Sequence, residues 1–133
     1  MNRYYATVAE RAGNRCEYCR APEQVFNFPF ENEHIWPRSN GGDNSSENLA
    51  LACESCNVFK SDATTAQDPV ESVEVPLFHP RHDHWDEHFT VNAEEATIDG
   101  QTPKGRATIL RLRINSTFQI QARRQWISLG LYP

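Results

Sequence analysis

The sequence predicts a small α+β fold fastened through its cysteines, on three observations. Its 133 residues suffice for one domain with a modest core. Four cysteines fall as two C-x-x-C pairs, Cys16/Cys19 and Cys53/Cys56, separated by 33 residues. The interval between the pairs reads as strand, loop and strand, and the second pair opens a helix. Hydrophobic content of 38%, eight prolines and a mean hydropathy of −0.69 describe a loop-rich chain that needs something besides apolar burial for its stability.

The elements follow in order. YYATVAERAG forms a short helix, which Gly13 ends by taking the left-handed conformation. Residues 25–35, VFNFPFENEHI, are rich in Val, Phe and Ile and read as a strand or hairpin arm, placed at an edge because Pro29 has no N–H to give. SNGGDNSS is a loop, NLALAC a second short strand, and ESCNVFKSDAT begins a helix. Further on, HFTVNAEEATIDG reads as strand, turn and strand. Thr102 before Pro103 starts a helix bearing Ile109 and Leu112. Asn115 and Ser116 then cap a second helix, with Ala122, Trp126 and Leu129 near helical spacing. The organisation expected is a core over residues 1–67 and an extension over 68–133, packed on it as one unit.

No stretch has the roughly eighteen consecutive apolar residues of a membrane span, and MNRYYATVAERAGNRC lacks the apolar run of a signal peptide. A soluble, cytoplasmic protein with no membrane partner is the expectation. In a reducing compartment disulfides do not persist, so the cysteines read as thiols or metal ligands. Two C-x-x-C turns each aim two sulfurs at one point, and two such knuckles close a tetrahedral thiolate cage around Zn²⁺. The alternatives, two disulfides or a redox dithiol, need a secretion signal or a thioredoxin-like βαβ pattern, and neither is present. The interval exceeds the roughly 15–20 residues of an ordinary zinc ribbon, so the knuckles clamp something between them.

Within that interval lies EHIWPRSNGG. Together with RCEYC, NLALACESCN and the following Lys60, over roughly residues 11–62, it resembles the HNH endonuclease family. The tract from LFHPRHDHWDEHF onward is also similar to the C-terminal portion of small stand-alone bacterial HNH proteins. The resemblance implies a ββα-metal (His-Me finger) core stapled by a structural zinc site on Cys16, Cys19, Cys53 and Cys56. It implies His34 as general base, Glu33 and Asn57 as ligands of a catalytic divalent ion, and Asn48 as the asparagine that braces the histidine's loop. Oxygen ligands favour Mg²⁺ or Mn²⁺ at that second position. Two departures from the family's commoner pattern stand out: Glu33 occupies the place of an aspartate, and Asn57 that of a histidine.

The chemistry of these residue types agrees with phosphodiester hydrolysis, which needs a water nucleophile, a base and positive charge near the oxygens that gain negative charge. Neighbouring strand residues point to opposite sides, so Glu33 and His34 serve one site only where the strand bends. Taken singly, Glu33 and His34 are ordinary surface residues, Asn48 and Asn57 are turn or cap residues, and Gly41 and Gly42 simply let the loop turn. Arg38 and Lys60 are candidates for phosphate oxygens.

The formal charge of −5 is unlike a nucleic-acid binder, but its distribution is uneven. Residues 68–100 carry nine acids and one arginine, and residues 101–133 carry six Lys or Arg and no acid. The two helices expected there turn Arg106, Arg111, Arg113, Arg123 and Arg124 outward, either toward DNA (or RNA) or back onto the acidic tract. HWDEH, residues 84–88, matches the inverted zinc-peptidase pattern H-x-x-E-H, the rival enzyme reading. That reading demands a long helix and a later carboxylate, and the chain has no acid beyond Asp99. The other class to weigh is a zinc-stapled module that binds nucleic acid and cuts nothing.

Overall fold

The computed structural model describes residues 3–133. Helix α1 (Tyr5–Arg11) leads into the first knuckle, and the chain turns left-handed at Gly13 and again at Asn14. Strand β1 (Glu31–His34) pairs antiparallel with β2 (Leu49–Ala52), Glu33 lying opposite Ala50 and His34 opposite Leu49. Helix α2 (Glu54–Lys60) follows at once, so the order strand, loop, strand, helix holds.

The first strand is shorter than expected. Residues 23–25 form a 3₁₀ turn and only Glu31–His34 pair, because Glu23 accepts the N–H of Phe30 (2.8 Å) and holds the segment between as a loop. Phe26 and Phe28 are left exposed there.

An unexpected hairpin, β3 (Thr65–Gln67) with β4 (Glu74–Pro76), straddles the expected boundary between residues 67 and 68. A four-residue helix α3 (Trp85–His88) precedes the hairpin of β5 (Phe89–Asn92) and β6 (Thr97–Gly100). Thr102 caps α4 (Pro103–Arg111) by accepting from Gly105 N–H, and Ser116 caps α5 (Thr117–Ser128) by accepting from Gln119 N–H. Asn115 does other work: its amide bonds both the N–H and the carbonyl of Ile98 on β6.

One apolar core runs through both parts. Leu49 and Leu51 of β2, Tyr18 of the first knuckle, Phe78, Trp85, Phe89 and Ile98 of the extension are all buried. The rings of Tyr18 and Phe78 meet edge to face at 6.4 Å, and Trp85 Nε1 donates to the Tyr18 carbonyl. The chain end closes on the same place, the Tyr132 hydroxyl donating to the Cys19 carbonyl and Arg15 to that of Leu131. Among the described residues no helix is long and apolar enough to cross a membrane.

Candidate metal centre and active-site hollow

The four cysteines are buried and their sulfurs all lie within 4.8 Å of one another. Each knuckle is shaped the same way: Cys19 N–H points at Cys16 Sγ, and Cys56 N–H at Cys53 Sγ, both at 3.5 Å. Left-handed Arg20 turns the chain out of the first knuckle, and Cys53 is itself the N-cap of α2. A tetrahedral thiolate site with Zn–S near 2.3 Å sets its sulfurs about 3.8 Å apart. Cys19 and Cys53 Sγ stand 3.7 Å apart and all four sulfurs lie within 4.8 Å of one another, a spread that could hold a zinc ion. Burial acts to raise the Cys16 thiol pKa, but hydrogen bonds from Cys19, Cys53 and Cys56 outweigh it and hold that group well below its usual value. Serving as donors to Cys16 and Cys19 pushes Cys53 and Cys56 up.

Strand β1 divides the remaining chemistry between two faces. On one, His34 Nε2 meets Asn44 Oδ1 at 2.8 Å. Asn44 sits in the loop from Ile35 to Asn48, and Asn48 clamps that loop at both ends. Its Oδ1 accepts from Trp36 N–H, and its Nδ2 donates to the carbonyls of Trp36 and Asp43, all between 2.9 and 3.0 Å. Gly42 is more than a turn residue, since a Cβ there would lie 1.8 Å from the Trp36 carbonyl oxygen. Asp43 also holds the Ser45 hydroxyl and N–H, which depresses its carboxyl pKa.

On the other face, Glu33 is buried with both carboxylate oxygens engaged. Lys60 Nζ donates to Oε1 at 2.5 Å and the Tyr18 hydroxyl to Oε2 at 2.6 Å. Burial pushes the Glu33 carboxyl up, against the lowering effect of Lys60 and Tyr18. Burial, and then the neighbouring Glu33, raises Tyr18 well above an ordinary phenol. Two readings change accordingly. Lys60 is 1% exposed and spends its three protons on Glu33 and the carbonyls of His34 and Ile35, so it does not reach a phosphate. Glu33 is the interior partner of Lys60 and presents no free carboxylate beside His34.

The hollow next to His34 has a volume of about 330 Å³. His34, Arg38, Asn57 and Ser61 border it, with Glu33 in its wall. Asn32, which the sequence reading passed over, lines it too. The signal was available: Asn32 is two residues before His34 and therefore on the same face of β1.

The basic extension departs from the outward row expected. Arg123 is wholly buried, donating to the carbonyls of Ala96 and Ile114, because it shares a helix face with Trp126. Arg106 forks onto both oxygens of Asp68 at 2.9 Å and reaches Glu71, so this basic residue does pair with the acidic tract. Arg111 caps α2 through the Phe59 and Lys60 carbonyls, and Arg113 lies over the Phe59 ring. Arg124 is exposed and bonds the carbonyls of Glu94 and Glu95.

The peptidase geometry fails on length. α3 has four residues, His84 is exposed, and His88 Nδ1 pairs with the Thr102 hydroxyl. Among the described residues the only group of three or more potential metal ligands is the cysteine cluster.

Fold and site thus define an α+β domain with a buried four-cysteine cluster and a histidine-bordered hollow. Residues 16–63 match the family described as HNH endonuclease. No curated protein and no solved structure matches the chain.

Proposed function

We propose that the protein is a metal-dependent endonuclease that hydrolyses phosphodiester bonds in DNA, nicking one strand, with β1, β2 and α2 as its ββα-metal unit. The observation that carries this reading is the state of His34. Asn44 Oδ1 can only accept, so the proton of the neutral ring sits on Nε2, and Nδ1 keeps the lone pair. An imidazole oriented this way beside an open hollow is a general base, taking a proton from an attacking water. Arg38, exposed at the rim, offers a planar fork to phosphate oxygens. Asn57 contributes an amide oxygen for a divalent ion, Mg²⁺ or Mn²⁺, which when bound supplies charge stabilisation of the departing 3′-oxygen. The cysteine cage holds a structural Zn²⁺ that fixes α2, and hence Asn57, against β1.

Supercoiled plasmid incubated with a panel of divalent ions tests this directly. Nicking is expected with Mg²⁺ or Mn²⁺, and His34→Ala lowers it by about 10²–10⁴-fold with zinc content and circular dichroism unchanged. Full activity in a folded His34→Ala protein would refute the assignment. One observation favours a second reading, a zinc-stapled nucleic-acid-binding module: the carboxylate of Glu33 is consumed by Lys60 and Tyr18. DNA binding that persists in EDTA, without cleavage under Mg²⁺, Mn²⁺ or Ni²⁺, would select it.

A further inference from the structure

Resting on the nuclease reading, we infer that Trp36 is a stacking residue for the substrate strand: an unpaired nucleobase near the scissile phosphate packs on its exposed ring, in the cleft that Trp36 borders. The chain has three tryptophans. Trp85 and Trp126 are 8% and 7% exposed, whereas Trp36 is 48% exposed. Asn48 takes both its backbone N–H and its carbonyl, so that exposure is chiefly the indole's.

Exposure alone says little, because single apolar residues on a surface are ordinary. What sets Trp36 apart is how firmly it is held. Its Nε1–H donates to the Asn40 carbonyl at 2.8 Å, and Asn48 fixes its N–H and carbonyl at 2.9 and 3.0 Å. Gly42 has no room for a side chain because the Trp36 carbonyl fills the place. A ring pinned in this way offers its face to a ligand with little further loss of rotamer freedom. The bond to Asn40 also steadies the 3₁₀ turn Arg38–Asn40, so the experiment must separate the ring from the bond.

The surroundings suit a nucleotide. Pro37 and Arg38 follow Trp36 directly and border the hollow. Two residues span at most about 7 Å of chain, and a strand carries a phosphate about every 3.4 Å, so a phosphate held at Arg38 brings a neighbouring base within reach of Trp36. The cleft, lined also by Pro76, Leu77, His79 and Lys104, has a volume of about 230 Å³. Pockets for drug-sized ligands run from about 300 to 1,000 Å³; this one has room for a planar base and not for a duplex. Its one carboxylate, Asp83, already accepts from Lys104 Nζ and the His79 N–H, so no bare negative charge meets the strand. The preferred substrate is therefore a strand left unpaired beside the cut, whether single, frayed or bulged.

Binding of the full zinc-loaded chain to two short single strands tests this, one carrying its bases and one abasic throughout, in a His34→Ala background that leaves both whole. The parent should prefer the base-bearing strand by about tenfold or more. Trp36→Phe should keep that preference within about threefold, and Trp36→Leu should lose it with binding to the abasic strand unchanged. Neither variant has the indole N–H, so a difference between them reads the ring and not its bond to Asn40. Stacking also quenches an indole, so the base-bearing strand should dim tryptophan emission in the parent and not in Trp36→Phe. The inference is overturned by a parent without the preference, by a folded Trp36→Leu that keeps it, by equal dimming in the parent and Trp36→Phe, or by both variants losing the two strands alike. Plasmid nicking by the wild type, run in parallel, separates the two readings. Nicking, with a Trp36→Leu protein that still prefers bases, sinks only the stacking assignment. A preference lost in Trp36→Leu from a protein that never nicks sinks only the nuclease reading.

Discussion

Between Cys16 and Ala63 the elements are short, a hairpin of four-residue strands and a seven-residue helix, and they converge on four buried sulfurs. Beyond Ala63, helices of nine and twelve residues are set by side-chain caps, a buried arginine and a forked ion pair. Short strands and helices do not hold themselves in water in either region. The first region gathers its elements on a cysteine cluster that could hold an ion, and the second orders its own through capped helices packed on its hairpins, a buried arginine and an ion pair.

Removing the proposed zinc separates the two most sharply. Structural zinc sites contribute on the order of 10 kcal/mol to folding, so Cys53→Ser or a strong chelator should unfold the segment around β1 and α2. The signature is loss of near-ultraviolet circular dichroism from Tyr18 and Trp36 with much of the far-ultraviolet helical signal kept. Complete loss of helix in the same transition would erase the contrast between the regions.

Next in size is the interior ion pair of the first region. Lys60→Met leaves Glu33 without its countercharge and should cost about 3–5 kcal/mol in urea unfolding. Adding Glu33→Gln should return most of that loss, since two neutral side chains need no partner. Additive losses in the double variant would show that packing, not charge, sets the cost.

Gly42→Ala probes geometry rather than stability. A methyl cannot share space with the Trp36 carbonyl, so the loop carrying Asn44 must shift. A displacement of about 1 Å near a catalytic group can cost around 10²-fold in rate, and nicking should fall accordingly while Tm changes little. Unchanged nicking would mean that the loop does not position His34.

The smallest effect lies in the second region and is read by pH. Hydrogen bonds from Arg106 hold the Asp68 carboxyl at about 2, helped by the backbone N–H groups of Val70 and Glu71 and opposed by burial. A depressed folded value stabilises above the ordinary carboxylate range near 4 and is lost as pH falls from there through about 2. Tm measured between pH 5 and pH 2 should therefore drop less steeply in Asp68→Asn than in the wild type. Parallel curves would assign the acid limb to other groups.

The sequence made the metal cage legible because C-x-x-C spacing alone dictates where sulfurs point. The family resemblance pointed to Asn48, which clamps the loop, and to His34, which borders the hollow, and local chemistry to the caps at Thr102 and Ser116. What escaped it depends on partners distant in sequence. Nothing in ENEH says that Glu33 turns inward, because that choice is made by Lys60 and Tyr18 arriving from α2 and the first knuckle. Arg123 reads as a surface cation until two hairpin-adjacent carbonyls, Ala96 and Ile114, are brought over it. The β3–β4 hairpin is three residues a side, too short for periodicity to register, and it stands beside a turn pinned by Asp68 and Arg106.

Arg111, on the extension, closes the last carbonyls of the helix that bears Asn57 and Lys60, while Trp85 and Tyr132 lean on the backbone of the first knuckle. Anyone who excises the HNH segment as a portable cassette will leave that helix frayed and its knuckle unsupported. Grafting this chemistry onto another scaffold means carrying the tail along with it.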